Sequence, residues 1–314
     1  MLIQTDNDQL KKRESTVEML SSVFAEFLSN HDVTEGSKRT YEKSFLTFLK
    51  FIKTNEIVEV DKGVLLRYKT ELKETKSTYT VNLYLSVIKM FFSFLFENGK
   101  IQMNTASSIK KLKQPKGFNK DPLTPSDAKK LLDSIDTATK VGKRDFAFLL
   151  LMITTGLRTN EVVNAQIDDV RPNSGETVLY IQGKGRDSKD EYVVINERVL
   201  DAIRDYHRTL DKPKDTDPLF KSFSNRNQSG FLTTKTLRRI TKERLDDIGI
   251  VNDRLSAHSL RHTAVTVSLL SGATLQETKA MARHSDINAT LIYAHNIDRV
   301  GNAAENKIAD FLYK

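Results

Sequence analysis

The sequence contains no cysteine, which excludes disulfide bonds and thiolate metal sites. Its longest apolar run, residues 146–153, is far too short to span a bilayer. The first ten residues, MLIQTDNDQL, lack the basic segment and the apolar stretch of a secretory signal. We also find no internal repeat and no low-complexity tract. These absences predict a soluble cytoplasmic protein without a membrane partner.

At 314 residues the chain is long for one domain and comfortable for two. Hydrophobic residues make up 39% of it and charged residues 29%, which suits soluble domains with ordinary cores. The net charge of +8 is unevenly spread, because residues 1–120 hold 20 basic and 14 acidic side chains while the remainder holds 29 and 27. The first 120 residues therefore carry most of the excess positive charge.

This charge is densest between Asn98 and Lys120, where six lysines occur without an acidic residue. Such a stretch is typical of a linker that faces nucleic-acid phosphates. A solvated, flexible tether would have the same composition. We expect a basic linker at residues 110–122. Its candidate phosphate contacts are Lys110, Lys111, Lys113 and Lys116.

The first third of the chain has the apolar spacing of an all-helical domain. Residues 1–15 are polar and are expected to be disordered. Apolar residues then recur at helical intervals in four segments, at about 17–28, 37–53, 62–73 and 77–97. A compact helical bundle over residues 16–109 is therefore predicted.

Aromatic and basic residues of this bundle have different predicted roles. A phenylalanine cluster in the fourth segment could stack on bases, but phenylalanines at helical spacing are far more often core residues. We place that cluster in the core; it comprises Phe91, Phe92, Phe94 and Phe96. Basic residues on the opposite helix faces are better candidates for phosphate contacts, namely Lys38, Arg39, Lys76 and Lys89.

The second part of the chain, residues 123–314, reads as mostly helical with a small antiparallel sheet. It opens with LTPSD, a capped helix start with proline in the first turn. An apolar helix at about 144–155 is ended by Gly156. Alternating segments at 177–182 and 191–195 flank the polar turn GKGRDSKD and predict a β-hairpin. Further helices are expected at about 197–210, 234–248, 258–271 and 274–283.

Six basic or aromatic residues in this part could carry out chemistry on a phosphate. They are Arg158 in TTGLRTNEV, Lys184 in IQGKGRD, His258 and Arg261 in AHSLRH, His284 in ARHSD, and Tyr293 in LIYAH. Arginines can hold the non-bridging oxygens of one phosphate, because a guanidinium is always charged and offers a planar fork of donors. Lysine and histidine can hold or move protons, and a tyrosine hydroxyl can attack phosphorus to form a covalent phosphoester.

Taken singly, these motifs are weak. A lone GKG or HxxR occurs by chance, and Arg158 with Glu161 would fit a surface ion pair. His258 and Arg261, three residues apart, share one helical face, whereas His262 faces elsewhere and reads as a structural histidine. Only the order and spacing of the whole set give it weight.

In order and spacing the set resembles the tyrosine recombinases, the family of phage integrases and Xer-like enzymes. The matching segments are GLRTNEV, the hairpin GKG, HSLRH and HSDINATLIYAH. The resemblance covers about residues 15 to 300. It implies an N-terminal helical, SAM-like core-binding domain that grips DNA, followed by a catalytic domain.

The resemblance also implies a role for each residue. Tyr293 would attack a DNA phosphate to give a 3′-phosphotyrosyl bond and a free 5′-hydroxyl, while Arg158, Arg261 and His284 stabilise the added negative charge. Lys184 would protonate the leaving 5′ oxygen from its hairpin, with Arg186 nearby as a DNA contact. His258 would position groups or take a proton, and Glu161 would hold Arg158. No metal and no cofactor are expected, since arginines neutralise charge here and no tight Asp/Glu cluster indicates a metal nuclease.

One position departs from the family pattern. The family usually has Leu-Gly-His where this chain has Ala282-Arg283-His284. Because Arg283 replaces a helix-ending glycine, we expect either a different turn or a DNA contact by Arg283 itself. The histidine is retained, so activity is still predicted. The change slightly favours the mobile-element branch of the family.

The leading hypothesis is a site-specific recombinase that works through a Holliday junction, either the integrase or resolvase of a mobile element or an Xer-like dimer resolvase. One alternative is a DNA-binding protein of the same fold without catalysis. The presence of all six expected residues argues against it. Another is a topoisomerase IB-like enzyme, which would relax supercoils without a specific site.

The partners implied are double-stranded DNA at a recombination site and further copies of the chain. A tetramer on DNA is expected, with a second recombinase or an accessory directionality factor as further partners, in association with the nucleoid. The tail, about residues 301–314, has apolar residues on one helical face. In the family such a tail docks onto a neighbouring subunit; packing on its own domain is the alternative.

Overall fold

The computed structural model describes residues 2–114, 121–183, 185–225, 227–301 and 304–313. It divides into two compact units, residues 1–116 and 117–314. The predicted fold class, mainly helical with a small antiparallel sheet, is confirmed. Lys116 and Lys184, which have predicted roles, lie outside the described residues.

The N-terminal unit is a bundle of long helices. They are α1 (Leu2–Ser29), α2 (Glu35–Thr54), α3 (Lys62–Thr75) and α4 (Thr78–Glu97). Side chains of Thr34, Asp61 and Ser77 cap the N-termini of α2, α3 and α4 by accepting backbone N–H bonds. Helix α1 begins well before the expected start and includes residues for which disorder was predicted. Neither glycine nor proline interrupts residues 2–29, so nothing stops the helix from continuing.

Aromatic side chains dominate the core of this unit. Phe24 stacks on Phe45 with ring centroids 3.7 Å apart, and Phe91 packs edge-on against both. Phe91, Phe92 and Phe94 are buried, as expected, but Phe96 is 49% exposed. Phe96 lies in the last turn of α4 beside the buried Leu95 and faces outward, so three of the four phenylalanines form core.

Helix α4 is long and apolar enough, by length and composition alone, to cross a membrane, with a mean hydropathy of 1.4. Most of its apolar residues are buried, and the helix packs on α1, α2 and α3. A core helix of a soluble bundle has the same character, so the helix is no more than weak evidence for a membrane span.

The segment after α4 is fastened to the bundle. Asn82 of α4 accepts the Leu112 N–H at 2.7 Å and donates to the Leu112 carbonyl at 2.9 Å. Lys89 donates to the carbonyls of Ser107 and Ile109 at 3.0 and 3.1 Å. Its ammonium therefore holds the chain in place, which does not fit the phosphate contact expected of Lys89.

The second unit consists of short helices around a central buried helix, α6. Its helices are α5 (Pro125–Asp133), α6 (Lys140–Thr155), α7 (Thr159–Val163), α8 (Glu197–His207), α9 (Thr234–Asp247), α10 (Ala257–Leu270), α11 (Leu275–Ala282), α12 (Asn288–Gly301) and α13 (Ala304–Leu312). Helices α8 and α10 pack on α6. The run Ala147–Met152 is buried all round, as a central helix requires.

Two small antiparallel sheets complete this unit. The strands are β1 (Val170–Asn173), β2 (Glu176–Ile181), β3 (Glu191–Val194), β4 (Lys221–Ser224) and β5 (Asn227–Phe231). The first sheet has the order β1–β2–β3, with Val178 opposite Val194, and β4 pairs with β5. The sequence predicted β2 and β3. It missed β1, an edge strand of four residues with a proline, and the β4–β5 hairpin.

Two helix ends position the site described next. Helix α6 ends at Gly156 and α11 ends at Arg283, and both residues adopt the left-handed backbone conformation, with φ of 64° and 53°. Glycine adopts it without cost, whereas a side chain there is uncommon. The turn at Arg283 thus has the conformation that a glycine would give, and the expected change of turn is not observed.

Candidate active site

Arg158 is held by a buried carboxylate. It is the N-cap of α7, and its backbone N–H donates to Glu161 Oε2 at 2.7 Å while its Nη1 donates to Glu161 Oε1 at 2.8 Å. The Glu161 side chain is 3% exposed, and that of Arg158 is 33% exposed. The pairing expected from the sequence therefore fixes the guanidinium from behind and leaves part of it accessible.

Arg261 of α10 is buried among helix ends. Its Nη1 donates to the Gly156 carbonyl at 2.6 Å, and its Nη2 donates to the Ala282 carbonyl. These carbonyls lie at the C-terminal ends of α6 and α11, where the helix dipole is negative. Burial, with Arg158 and Arg283 nearby, lowers the pKa of Arg261 to about 10. The side chain thus stays charged at neutral pH and joins three helices.

Arg283 does not lie where a DNA contact was expected. Its side chain is 9% exposed, its Nη2 donates to Glu161 Oε2 at 2.7 Å, and its Nε lies 3.6 Å from Glu191 Oε2. Burial lowers the pKa of Arg283, and Glu161 opposes this. The guanidinium is turned inward, where it shares with Arg158 the carboxylate of Glu161.

His284 follows this turn. Its Nδ1 forms a hydrogen bond with Oγ1 of the buried Thr290, at 2.9 Å. Burial, and then the charges of Arg261, Arg158 and Arg283, lower the pKa of His284 to about 4. The imidazole is therefore neutral at pH 7. When Thr290 donates to Nδ1, the ring presents an Nε2–H donor suited to a phosphate oxygen.

Tyr293, on α12, lies beside these groups. It is 5% exposed, and burial raises the pKa of its phenol to about 12, against the opposing charge of Arg261. Its ring is nearly parallel to that of His284, with centroids 6.4 Å apart. Unless another group takes its proton, the phenol remains protonated at neutral pH.

His262 is the residue that sequence reasoning missed. Its Nδ1 forms a hydrogen bond with the Tyr293 hydroxyl, and its ring lies 4.7 Å from that of the exposed His258. We had interpreted His262 as structural because it is rotated away from Arg261 on the helix. No signal in the sequence indicates this bond, since its partner comes from a helix 31 residues further along.

The residues around the predicted lysine hairpin have partners of their own. Lys189 donates to Asp169 Oδ2 at 2.6 Å and to Gln166 Oε1 at 2.8 Å, so its ammonium is paired within the folded unit. Arg186 is exposed and lies 3.4 Å from Asp190. A side chain at position 183 would displace the Glu191 carboxylate, which is the flexible end of its side chain.

The profile of the phage integrase family matches residues 122–299, and that of its N-terminal SAM-like domain matches residues 22–99. The chain belongs to the phage integrase family. Together with the similarity to the curated Xer proteins, this makes it a tyrosine recombinase, a site-specific DNA strand transferase, as the motifs predicted.

The recombinase is 31% identical to the tyrosine recombinase XerD of Listeria monocytogenes serotype 4b (strain F2365) over 226 residues, 71% of this chain and 73% of the relative. With XerD of Lacticaseibacillus casei it shares 28% over 288 residues, 88% and 94% of the two chains. The solved XerH recombinase, bound to a palindromic difH substrate after cleavage, aligns with a TM-score of 0.69 at 20% identity. That alignment covers 86% of this chain and 80% of XerH, and it shows the shared fold.

The N-terminal unit of the recombinase presents a mainly basic groove with a volume of about 550 Å³, whose charged lining residues are Arg39, Lys43, Lys50 and Lys76 with one acid, Glu42. Arg39 and Lys76 had been predicted to contact phosphates, and the structure brings them to one cavity. Lys38 is paired with Glu35 at 3.2 Å. The linker residues Lys110, Lys111 and Lys113 are exposed.

We predict that His262 and His284 of the DNA-free recombinase remain neutral down to about pH 4. The pKa of each is about 4 in the folded state, against 6.5 without the protein environment. The unfolded chain therefore binds more protons between these values, so this contribution to stability is complete above pH 6.5 and is lost as the pH falls towards 4. NMR titration of ¹³C-labelled histidines, assigned with His262→Asn and His284→Asn, measures both pKa values. Titration of either ring near pH 6.5 would contradict the prediction.

Proposed function

We propose that the recombinase cleaves double-stranded DNA with Tyr293 as nucleophile, at a phosphate held by Arg158, Arg261 and His284. The observation that carries the proposal is the meeting of these four side chains, from the α6–α7 turn, α10, the end of α11 and α12. An arginine-lined site gathers positive charge where a phosphate gains negative charge during attack. The matching order of the motifs in the family supports the same roles.

In the cleavage step the Tyr293 Oη–P bond forms and the P–O5′ bond breaks. The phenol loses its proton, and the 5′ oxygen gains one from Lys184, the proposed general acid. The phosphodiester is replaced by a phosphotyrosyl ester, so a 5′-hydroxyl of a second strand can reverse the step without ATP. Two rounds of such exchange pass through a Holliday junction.

The curated relatives are XerD and XerC recombinases. They favour an Xer-like role at a specific site over relaxation of supercoils. A binding protein without catalysis would not need a tyrosine and two arginines in one buried site. The XerH structure holds DNA, and we propose the same class of partner here, contacted by the basic groove and the linker lysines. Such an enzyme acts in the cytoplasm, at the nucleoid.

We further propose that the recombinase assembles on DNA as a homo-oligomer through its tail. Helix α13 buries none of its residues, and Ile308, Phe311 and Leu312 are 59%, 82% and 69% exposed. Apolar side chains exposed together on a short helix indicate a protein contact. A groove on another copy of the chain is the expected acceptor.

We predict that Tyr293→Phe abolishes formation of a covalent protein–DNA adduct. Nicked suicide duplexes taken from the DNA that flanks its gene would be incubated with enzyme and EDTA, then run on a denaturing gel. Wild type should give a shifted band, and Arg158→Ala and Arg261→Ala should slow its formation by ~10²-fold or more.

The matched control for this experiment is Tyr192→Phe, which removes an exposed phenol of the same unit. It should react like wild type. An adduct that survives Tyr293→Phe would exclude Tyr293 as the nucleophile, and bound DNA without any wild-type adduct would favour the binding-only alternative.

We predict that the double change Arg39→Gln and Lys76→Gln weakens DNA binding in a salt-dependent way. Each cation that contacts a phosphate contributes ~0.9 to the slope of log K against log salt, so the slope should fall by about 1 to 2. Fluorescence anisotropy at several salt concentrations measures it. Lys129→Gln, at an exposed lysine of α5, is the control. An unchanged slope in the double variant would remove the groove from the interface.

We predict that Phe311→Asp prevents assembly of complexes that contain two DNA sites. A charge on this exposed apolar face would disfavour its burial against another copy. Native gels with one-site and two-site DNA separate the steps, and single-site binding should be unchanged. Lys307→Glu, a charge change on the same helix, controls for altered charge. Normal two-site complexes from Phe311→Asp would show that the tail packs elsewhere.

A further inference from the structure

His262 is a histidine outside the six residues that the family resemblance identified, yet its Nδ1 contacts the reacting atom of the proposed nucleophile. The imidazole is 9% exposed and the Tyr293 ring 5% exposed, so water has little access to the bond between them. A buried histidine commonly serves only as a hydrogen-bond partner for a neighbouring polar group. Here the neighbour is the hydroxyl whose proton must leave when Tyr293 attacks.

The direction of this hydrogen bond follows from the charges around it. Burial, followed by His258, Arg261 and His284, lowers the pKa of His262 to about 4, and Asp121 opposes the shift. The ring is therefore neutral at pH 7, whereas the phenol, with a pKa of about 12, keeps its proton. Tyr293 thus donates its O–H to Nδ1, and Nε2 carries the ring proton.

We propose that His262 is the group that takes the phenol proton of Tyr293 during cleavage and returns it during religation. The inference rests on the proposed role of Tyr293 as nucleophile. As the Oη–P bond forms and the P–O5′ bond breaks, the proton passes from Oη to Nδ1, and His262 becomes an imidazolium. The 5′ oxygen takes its own proton from the general acid, so charge and protons balance in both directions.

Bound DNA favours this transfer. In the DNA-free protein Arg261, together with His258 and His284, opposes a positive charge on His262. A phosphate held by Arg158 and Arg261 adds negative charge beside them, and the attacking oxygen gives up its electron density to phosphorus. The first effect favours an imidazolium at position 262, and the second makes the Tyr293 hydroxyl more acidic as its bond to phosphorus forms. Proton transfer is therefore coupled to attack and does not precede it.

His262 and His258 occupy different positions relative to Tyr293 and to solvent. The hydrogen bond to Oη comes from His262, while the exposed His258 lies with its ring perpendicular to that of His262, at 82°. His258 is one helical turn earlier on α10 and is placed nearer the solvent. The two rings thus form an edge-to-face pair in which the inner ring, that of His262, contacts the nucleophile.

His262→Asn tests proton transfer apart from hydrogen bonding, because the asparagine oxygen can occupy the place of Nδ1 and accept the phenol O–H but cannot take its proton. The assay is adduct formation on the nicked suicide duplex, with either a normal 5′ oxygen or a bridging 5′ sulfur at the cleaved bond. A thiolate leaves without a proton, so the sulfur substrate removes the need for a general acid.

We predict that His262→Asn slows adduct formation by ~10²-fold or more on both substrates, as loss of a general base typically does. Its rate should rise about tenfold per pH unit between pH 7 and 9, because the phenol must then lose its proton to solvent. Lys184→Ala, the matched control at the proposed general acid, should be slow on the oxygen substrate and recover on the sulfur substrate. DNA affinity and thermal unfolding of His262→Asn should match wild type.

A rate for His262→Asn within threefold of wild type, or a variant that recovers on the sulfur substrate, would overturn the inference while Tyr293 keeps its role. Loss of rate without the steeper pH dependence would reduce His262 to a positioning residue and also overturn it. Absence of any adduct from the wild-type enzyme would overturn the role of Tyr293, and the inference with it.

Discussion

The buried guanidinium of Arg261 is the constraint on which the site depends. It can be buried only because the last carbonyls of α6 and α11, from Gly156 and Ala282, face it. An unpaired buried charge would cost several kcal/mol, so these two helix ends are fixed relative to α10. Arg158 and His284 each follow one of those ends by two residues. The contacts that bury Arg261 therefore also bring the other proposed phosphate-binding groups to the same place.

The site is not neutral. In the described residues, Arg158 and Arg283 both pair with one buried carboxylate, Glu161, and Arg261 lies within electrostatic range of all three. The mutual repulsion contributes to the lowered pKa of Arg261. In the proposed function a bound phosphate would relieve this repulsion, and a transition state with added negative charge would relieve it more than the bound substrate does. Differential stabilisation of this kind lowers the barrier, at some cost to the stability of the free enzyme.

The sequence predicted what depends on order and local spacing. Motifs predicted Arg158, Arg261, His284 and Tyr293, which the structure brings together, and apolar periodicity predicted most helices. The sequence could not predict contacts that form only when elements distant along the chain pack together. His262 looked unimportant because the helix wheel separates it from Arg261, but α12 approaches α10 from that side. Lys89 looked like a phosphate contact because nothing in its own helix shows that the chain returns to it 18 residues later.

Arg283 shows how a departure from a family pattern can be absorbed. A left-handed backbone costs a side chain ~1 kcal/mol or more compared with glycine, and Arg283 offsets this by its ion pair with Glu161. Because Glu161 pairs with both Arg158 and Arg283, its single negative charge is shared between two guanidinium groups. The proposed phosphate site is therefore more positive than it would be with Arg158 alone. Arg283 also lies 3.6 Å from Glu191, which packs against Gly183 beside Lys184. Arg283, in the turn before His284, thus contacts two carboxylates. Glu161 connects it to Arg158, and Glu191 connects it to Gly183, the residue before Lys184.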